Sequence, residues 1–142
     1  MRARYGIYFS AADPYSFILF ADFDGVDGVP DKKYNHASEP LCNNSECIEK
    51  IIIPGGDGIK DVCGIVSETP EKIKKCSRNS ELDYANIVFV RPDPDANIIG
   101  TLINTDTVYQ SIEISVEPPK KDFCKTIKVW LTGQISIEPT CS

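Results

Sequence analysis

The residues best suited to chemistry in this chain are four aspartates that follow its most aromatic segment. They are Asp22, Asp24, Asp27 and Asp31, with Gly25 and Gly28 between them. Carboxylates at alternate positions around a glycine turn are the ligands that enclose a hard cation such as calcium. In a regular calcium loop the first three acids alternate, whereas here the third acid falls five residues after the first. The sequence therefore favours a polar turn, with a calcium site as the alternative. We expect that the protein requires no cofactor.

Basic residues form two clusters that could contact phosphate groups. The first lies near the C-terminus and comprises Lys120, Lys121, Lys125 and Lys128. The second comprises Lys72, Lys74, Lys75 and Arg78. A net charge of −6 and a pI near 4.7 argue against a nucleic-acid surface, because such a surface needs a strong positive field. We therefore expect two solvated faces, with nucleic acid as the less favoured interpretation of the first cluster.

Groups that could perform catalysis are scarce. His36 is the only histidine, and a serine or cysteine nucleophile needs an imidazole or an equivalent base within hydrogen-bond reach. Asp93 and Asp95 alternate with prolines in a predicted turn, where both carboxylates would be solvated. The chain also contains no phosphate-binding loop and no dinucleotide signature. We therefore expect that the protein is not an enzyme.

Six cysteines in 142 residues are an even number and favour disulfides formed in an oxidising compartment. They are Cys42, Cys47, Cys63, Cys76, Cys124 and Cys141. Zinc and free thiols are the competing interpretations, but zinc ligands normally come in two close pairs, and only Cys42 and Cys47 are close. Joining nearest neighbours in sequence predicts three pairs, namely Cys42 with Cys47, Cys63 with Cys76, and Cys124 with Cys141.

The elements that must position these groups are mostly strands. Residues 5–12 and 15–23 are two aromatic-rich runs joined by Asp13-Pro14, which predicts a β-hairpin. Both faces of this hairpin are apolar, because Phe17 and Leu19 point one way while Ile18 and Phe20 point the other. A strand that is apolar on both faces needs cover on both.

The remaining pattern predicts an all-β domain that spans residues 1–142. Further strands are expected at 48–53, 59–66, 87–91, 98–103, 108–116, 125–131 and 134–138. Thr69-Pro70-Glu71 fits a helix start, which predicts a short helix over residues 70–76. Eight or nine short strands are most simply arranged as two packed, mainly antiparallel sheets. No apolar stretch approaches the roughly 20 residues that a membrane-spanning helix needs.

Two registers are open for the last hairpin, and they differ in which residues become core. A two-residue loop would place Trp130 opposite Ile135. A three-residue loop over 132–134 would pair Leu131 with Ile135 and keep the aliphatic residues together on one face. We prefer the second register, which leaves Trp130 on the outer face.

Three segments in this order resemble the globular domains of type IV pilin-like proteins, in particular the type II secretion pseudopilins and FimT-like minor pilins. They are YGIYF followed by SFILFADFDGVDGVPD, then NIVFVRPDPDA, then KTIKVWLTGQISIE. The resemblance covers nearly the whole chain and lies in the arrangement of segments more than in single residues. It implies a structural subunit, the head of a pilus or pseudopilus, that is exported to the cell surface and polymerises with other pilin subunits.

The resemblance also implies a long N-terminal helix that anchors the subunit in the membrane and then packs in the filament core. The globular part begins almost at Met1 here, so we expect this helix to lie outside this chain, with an intrinsically short protein as the alternative. We expect the helix to cover one apolar side of the first hairpin, and part of the aromatic face of residues 5–23 to be exposed or covered by a neighbour. The alternative function is a secreted, disulfide-stabilised β-sandwich that binds calcium, a glycan or DNA.

Overall fold

The computed structural model describes residues 4–22, 33–34, 47–90, 95–103, 105–120 and 122–141. Over these ranges the chain forms strands β1 (Arg4–Ser10), β2 (Asp13–Ala21), β3 (Cys47–Ile52), β4 (Gly58–Ser67), β5 (Ile73–Cys76), β6 (Tyr84–Val90), β7 (Ala96–Leu102), β8 (Thr105–Val108), β9 (Ser111–Glu117), β10 (Lys125–Trp130) and β11 (Ile135–Glu138). Their helical content is limited to 3-10 turns at Pro54–Gly56 and Ser77–Asn79. The predicted all-β class is confirmed.

Two antiparallel sheets pack face to face, as the sequence predicted. One has six strands in the order β3-β2-β1-β6-β7-β8, and the other has five in the order β11-β10-β9-β4-β5. Alternate residues of both sheets meet in a common core, because successive side chains of a strand point to opposite faces. Its buried members include Phe9, Ile87 and Ile98 from the first sheet, and Val62, Ile112, Ile114 and Val129 from the second.

The chain passes from one sheet to the other at Tyr109, where the sequence predicted a continuous strand over 108–116. That prediction is wrong, because β8 ends at Val108 in the six-stranded sheet and β9 begins at Ser111 in the five-stranded sheet. The Tyr109 ring is buried between the sheets. A Cβ atom on Gly64 or on Gly100 would overlap this ring. A glycine in each sheet thus provides the space for the crossing.

The prediction of a helix over residues 70–76 is also wrong. Ile73–Cys76 forms β5, which pairs antiparallel with β4 so that Cys76 lies opposite Cys63. The local signals at Thr69-Pro70 fit a helix start, but helix propensity is a weak preference that tertiary pairing overrides. Here the partner strand and the Cys63–Cys76 disulfide hold the segment extended.

The first hairpin is covered on its second face by the chain itself. Ile18 and Phe20 are fully buried in a cluster with Tyr8 and Tyr34. The Tyr34 ring lies 5.1 Å from that of Tyr8 and 5.5 Å from that of Phe20, measured between centroids. The Tyr34 N–H donates to the Asn86 side chain at 2.9 Å, which fixes the covering segment on β6.

The described chain itself therefore covers the face of Ile18 and Phe20. The two-faced pattern of β2 is confirmed, since Phe17 packs in the core between the sheets while Ile18 and Phe20 do not. Among the described residues of this hairpin, the aromatic side chains that remain exposed are Tyr5 and Tyr15. They share the face of Phe17 and lie at its margins, so part of the aromatic surface of this hairpin is exposed, as expected.

The last hairpin keeps its aliphatic residues together but in a different register from the predicted one. Val129 lies opposite Ile135 and Ile127 opposite Ile137, so the predicted pairing of Leu131 with Ile135 is wrong by two positions. The loop is residues 131–133, in which Gly133 has φ 88°. Trp130 lies on the outer face, as expected. Its side chain faces away from the core shared with the other sheet.

Candidate functional site

The predicted calcium ligands fall mostly outside the described residues. Asp22 directly follows β2 and is buried, and its N–H donates to the Arg4 carbonyl at 2.9 Å. Asp24, Asp27 and Asp31 lie outside the described ranges. The calcium site therefore stays a prediction.

Within the part of the chain that the structure describes, one group of potential metal ligands comes together, formed by Asp61, Cys63 and Cys76. The two cysteines are joined in a disulfide and offer no thiolate to a metal. The Asp61 carboxylate is already engaged, because it accepts from the Ser77 hydroxyl at 3.0 Å and the Arg78 N–H at 2.9 Å. This group therefore has a structural role in anchoring β4 to the turn after β5.

The predicted disulfides are found where the structure describes both partners. Cys63 is bonded to Cys76 and Cys124 to Cys141. Cys47 is also disulfide-bonded, while its expected partner Cys42 lies outside the described residues. One disulfide ties β4 to β5, and the other joins the two ends of the β10–β11 hairpin.

The predicted C-terminal lysine cluster does not form one surface. Lys120 and Lys125 are exposed, and Lys121 lies outside the described residues. Lys128 is buried, with its ammonium 3.3 Å from Glu68 and 4.9 Å from the centre of the Trp130 ring. A lysine neutralised and covered in this way is not available to a phosphate group. The expectation of a solvated lysine face is therefore wrong for this residue.

A buried carboxylate, which the sequence did not single out, organises the outer face of the five-stranded sheet. Glu113 in the middle of β9 is 4% exposed. Its Oε2 lies 3.5 Å from the Lys72 ammonium and 3.8 Å from that of Lys128, and its Oε1 lies 3.4 Å from Lys74. Oε1 nevertheless accepts no hydrogen bond from the described residues. Three cations around one anion stabilise the charge that burial would otherwise penalise.

This arrangement closes the outer face of the five-stranded sheet. Glu68 and Lys72 come from the segment between β4 and β5, and their ion pairs to Lys128 and Glu113 hold that segment across the sheet. The alternation of residues 108–116 places Ser111, Glu113 and Ser115 on one polar face, which would be solvated if nothing covered it, and the structure buries all three. The alternation along β9 gave the correct faces but could not show that a distant segment covers one of them.

A groove of about 550 Å³ opens beside the crossing at Tyr109. Its polar residues are Lys75, Glu81, Thr105, Thr107 and Tyr109, and its apolar wall includes Leu102 and Ile103. The ammonium of Lys75 lies 3.8 Å from the Glu81 carboxylate. Burial raises the pKa of the Tyr109 hydroxyl, and the nearby charge of Glu81 adds to this. The groove presents donors and acceptors with no net charge.

An uncovered apolar surface among the described residues lies on the inner face of the β10–β11 hairpin. We call it the open strip and define it by Phe123, Ile127, Ile135 and Ile137. Phe123 is 58% exposed, Ile135 58% and Ile137 70%. Ile127 packs against the main core, so the strip continues the core beyond the edge of the covering sheet. A cavity of about 300 Å³ between Phe123, Ile137 and Val116 forms its deepest part.

The ionised groups near the open strip are few. Asp57, Glu117 and Lys125 line the same cavity as Phe123 and Ile137. No helix among the described residues is long and apolar enough to cross a membrane. An apolar surface of this kind marks a place where another segment or another molecule packs.

Comparison with protein-family models, with characterised proteins and with solved structures finds no match to this chain.

Proposed function

We propose that this protein is the globular head of a type IV pilin-like filament subunit. The proposal joins the three-segment resemblance to a disulfide-stabilised all-β domain, a type of domain that is suited to an oxidising compartment outside the cell. Its partners are other pilin subunits, and its role is mechanical. The two sheets and their disulfides make a rigid unit that can be carried on the outside of a fibre.

The observation that supports this proposal most is the open strip. A head that acts alone would lose stability and solubility by exposing Phe123, Ile135 and Ile137 on one face. In a fibre the same surface stabilises the assembly, because burying it between subunits contributes roughly 25 cal/mol of favourable free energy for each Å² of apolar area. The assembly helix that the resemblance implies therefore has a place to pack. We propose that it packs on the last hairpin, because the face of Ile18 and Phe20 on the first hairpin is already covered.

The experiment is to isolate filaments from cells that express the full-length protein and to measure the amount of this chain in them. Replacing Phe123 and Ile137 together by serine should reduce incorporation by at least about tenfold, the effect of losing about 1.4 kcal/mol of contact. The matched control is Ile52→Ser, which changes an equally exposed isoleucine on β3. Incorporation of the control should equal that of the wild type. Absence of the chain from every filament preparation would refute the proposal.

The groove beside Tyr109 supports the second candidate function, a secreted binding module. Its paired Lys75 and Glu81, with the hydroxyls of Thr105 and Thr107, suit a neutral ligand that has both donors and acceptors, such as a glycan. Titration of the 15N-labelled protein with neutral mono- and disaccharides tests this. Saturable shifts at Thr107 that vanish in Thr107→Val would favour the binding module, and no shift at any sugar concentration would remove it.

A further inference from the structure

The free edge of β11 has the backbone geometry to pair with another strand. The Trp130 N–H donates to the Gln134 carbonyl at 2.9 Å, so residues 130 and 134 form a hydrogen-bonded pair. Hydrogen-bonded and non-hydrogen-bonded pairs alternate along an antiparallel ladder. The backbone groups of Ser136 therefore form hydrogen bonds with those of Lys128. The backbone N–H and C=O groups of Ile135 and Ile137 point away from β10. Among the described strands nothing pairs with this edge, because β11 is the last strand of its sheet.

The other sheet edges carry charges that discourage pairing, as natural edge strands commonly do. β5 holds Lys74 and Lys75, β3 holds Glu49 and Lys50, and β8 holds Asp106. In β11 the only charged residue is Glu138 at its end, and the side chains around its outward groups are isoleucines. The disulfide between Cys124, just before β10, and Cys141, shortly after β11, also holds the open end of this hairpin together. The β11 edge is thus already in strand conformation. No charged side chain of β11 stands beside its free backbone groups to discourage pairing with another strand.

We propose that this edge is a homotypic interface, at which β11 pairs antiparallel with β11 of a second copy of the chain. The register follows from the outward groups. Placing Ile135 of each copy opposite Ile137 of the other engages the outward N–H and C=O groups of both residues, whereas pairing Ile135 with Ile135 would engage only one residue of each copy. Ser136 then lies opposite Ser136 of the second copy on the symmetry axis. The pairing is self-complementary, as a two-fold interface requires.

The side chains are also complementary in this register. The isoleucines of the two copies form one apolar row on the inner face, which joins the two open strips. On the outer face Gln134 lies opposite Glu138 of the second copy, so an amide donor meets a carboxylate and no like charges face each other. Pro139 ends the strand, which limits the pairing to residues 135–137. Such a contact is far below the roughly 1,200 Å² of a stable interface, so we expect a dimer that forms transiently in solution.

The inference goes beyond the filament proposal and does not depend on it. It is tested with single cysteines placed along β11 of the full chain, since the cysteines of the described residues are all bonded. Ser136→Cys should form a covalent dimer under oxidised glutathione, because a non-hydrogen-bonded pair holds its Cα atoms about 4.5 Å apart, within disulfide range. Gln134→Cys and Glu138→Cys should each stay monomeric alone. Mixed together, they should give a heterodimer.

A second pair of variants tests whether the backbone edge is responsible. Proline at position 137 removes an outward N–H without breaking a bond to β10, and edge strands tolerate proline in that orientation. Adding Ile137→Pro to Ser136→Cys should reduce the rate of covalent dimer formation at least about tenfold, the effect of about 1.4 kcal/mol. The matched change Ile137→Val should leave the rate near that of Ser136→Cys alone. An unchanged rate in the proline variant would overturn the proposal.

The pattern of cross-links also decides between this pairing and its alternatives. Equal dimer formation by all three single cysteines would indicate parallel pairing or random collision, and would contradict the proposed register. Dimer formation by Ser136→Cys that is no faster than by Glu138→Cys would contradict the interface itself. A dimer from Ser136→Cys together with a heterodimer from the mixture supports both the interface and its register.

Discussion

The first and last hairpins of this molecule are both apolar, but only the first is closed. On the β1–β2 hairpin, Tyr34 covers Tyr8 and Phe20, and the core covers Phe17. On the β10–β11 hairpin the outer face is covered by the ion pairs of Lys128, while the inner face exposes Ile135 and Ile137 and the edge has free backbone groups. The described chain therefore covers its most aromatic surface itself, whereas its C-terminal hairpin keeps an exposed apolar face, which is where we propose that other molecules bind.

Two phenylalanines give the largest expected contrast between the hairpins. Phe20→Ala should lower the free energy of unfolding by about 3–5 kcal/mol, because it empties a fully buried site in the closed hairpin. Phe123→Ala, in the open strip, should change it by less than about 1 kcal/mol. Denaturant unfolding measures both, and Phe20→Leu gives an intermediate value if the alanine variant is too unstable. Equal losses of stability at the two positions would contradict the difference in burial between Phe20 and Phe123.

The disulfide that closes the last hairpin should contribute the next largest effect. Cys124 and Cys141 are separated by 17 residues, and closing a loop of this length stabilises a fold by about 3 kcal/mol in the chain-entropy model. Replacing both by alanine should therefore lower the unfolding free energy by about that amount. The covalent dimer formed through Ser136→Cys should also form more slowly in this background, because the edge is no longer fixed. A stability equal to that of wild type would show that the hairpin is held by its strand pairing alone.

Replacing the buried Glu113 tests whether its ion pairs hold the covering segment on the outer face of the last hairpin. Glu113→Gln keeps the shape of the side chain but leaves the ammonium groups of Lys72, Lys74 and Lys128 without their shared anion. We expect a loss of about 2 kcal/mol, less than for a fully buried pair because Lys72 and Lys74 are partly solvated. Denaturant unfolding measures the loss. Adding Lys72→Met should recover part of it, and a further loss in that double variant would contradict this account.

The smallest expected effect comes from Asp13 in the turn of the first hairpin, which should make the free energy of unfolding fall at acid pH. Burial alone would raise the pKa of Asp13, but hydrogen bonds from Ser16 and the Tyr15 N–H, and then Lys50, lower it below the ordinary 3.8. A lowered folded-state pKa gives stability that is present above 3.8 and is lost as the pH falls through the folded value. Asp13→Asn should remove this part of the pH dependence, by less than about 1 kcal/mol. Identical acid-unfolding curves for the variant and wild type would contradict the assigned contacts.

The sequence predicted the fold where the signal was local. Strand alternation gave the all-β class, the two apolar faces of β2 and the shared face of Val129 and Ile135. Spacing alone gave the pairing of Cys63 with Cys76. These features depend on residues that are neighbours in the chain or lie on adjacent strands.

What the sequence could not predict depends on distant residues. β5 is a strand because β4 pairs with it, and the crossing at Tyr109 needs glycines at positions 64 and 100. The burial of Glu113 likewise depends on a covering segment from another part of the chain. Alternation assigns a residue to a face, but it does not say what lies above that face.

Whether the last hairpin is the open side of this molecule is tested by amide hydrogen exchange, measured residue by residue in dilute and in concentrated protein. In dilute solution the amides of Ile18 and Phe20 should exchange slowly, whereas those of Ile135 and Ile137, which point to the free edge, should exchange at rates near those of an unprotected chain. Raising the protein concentration should slow exchange at Ile135 and Ile137 only. Protection of both amides in dilute protein, or no response to concentration, would contradict the claim that the last hairpin is the open side of this molecule.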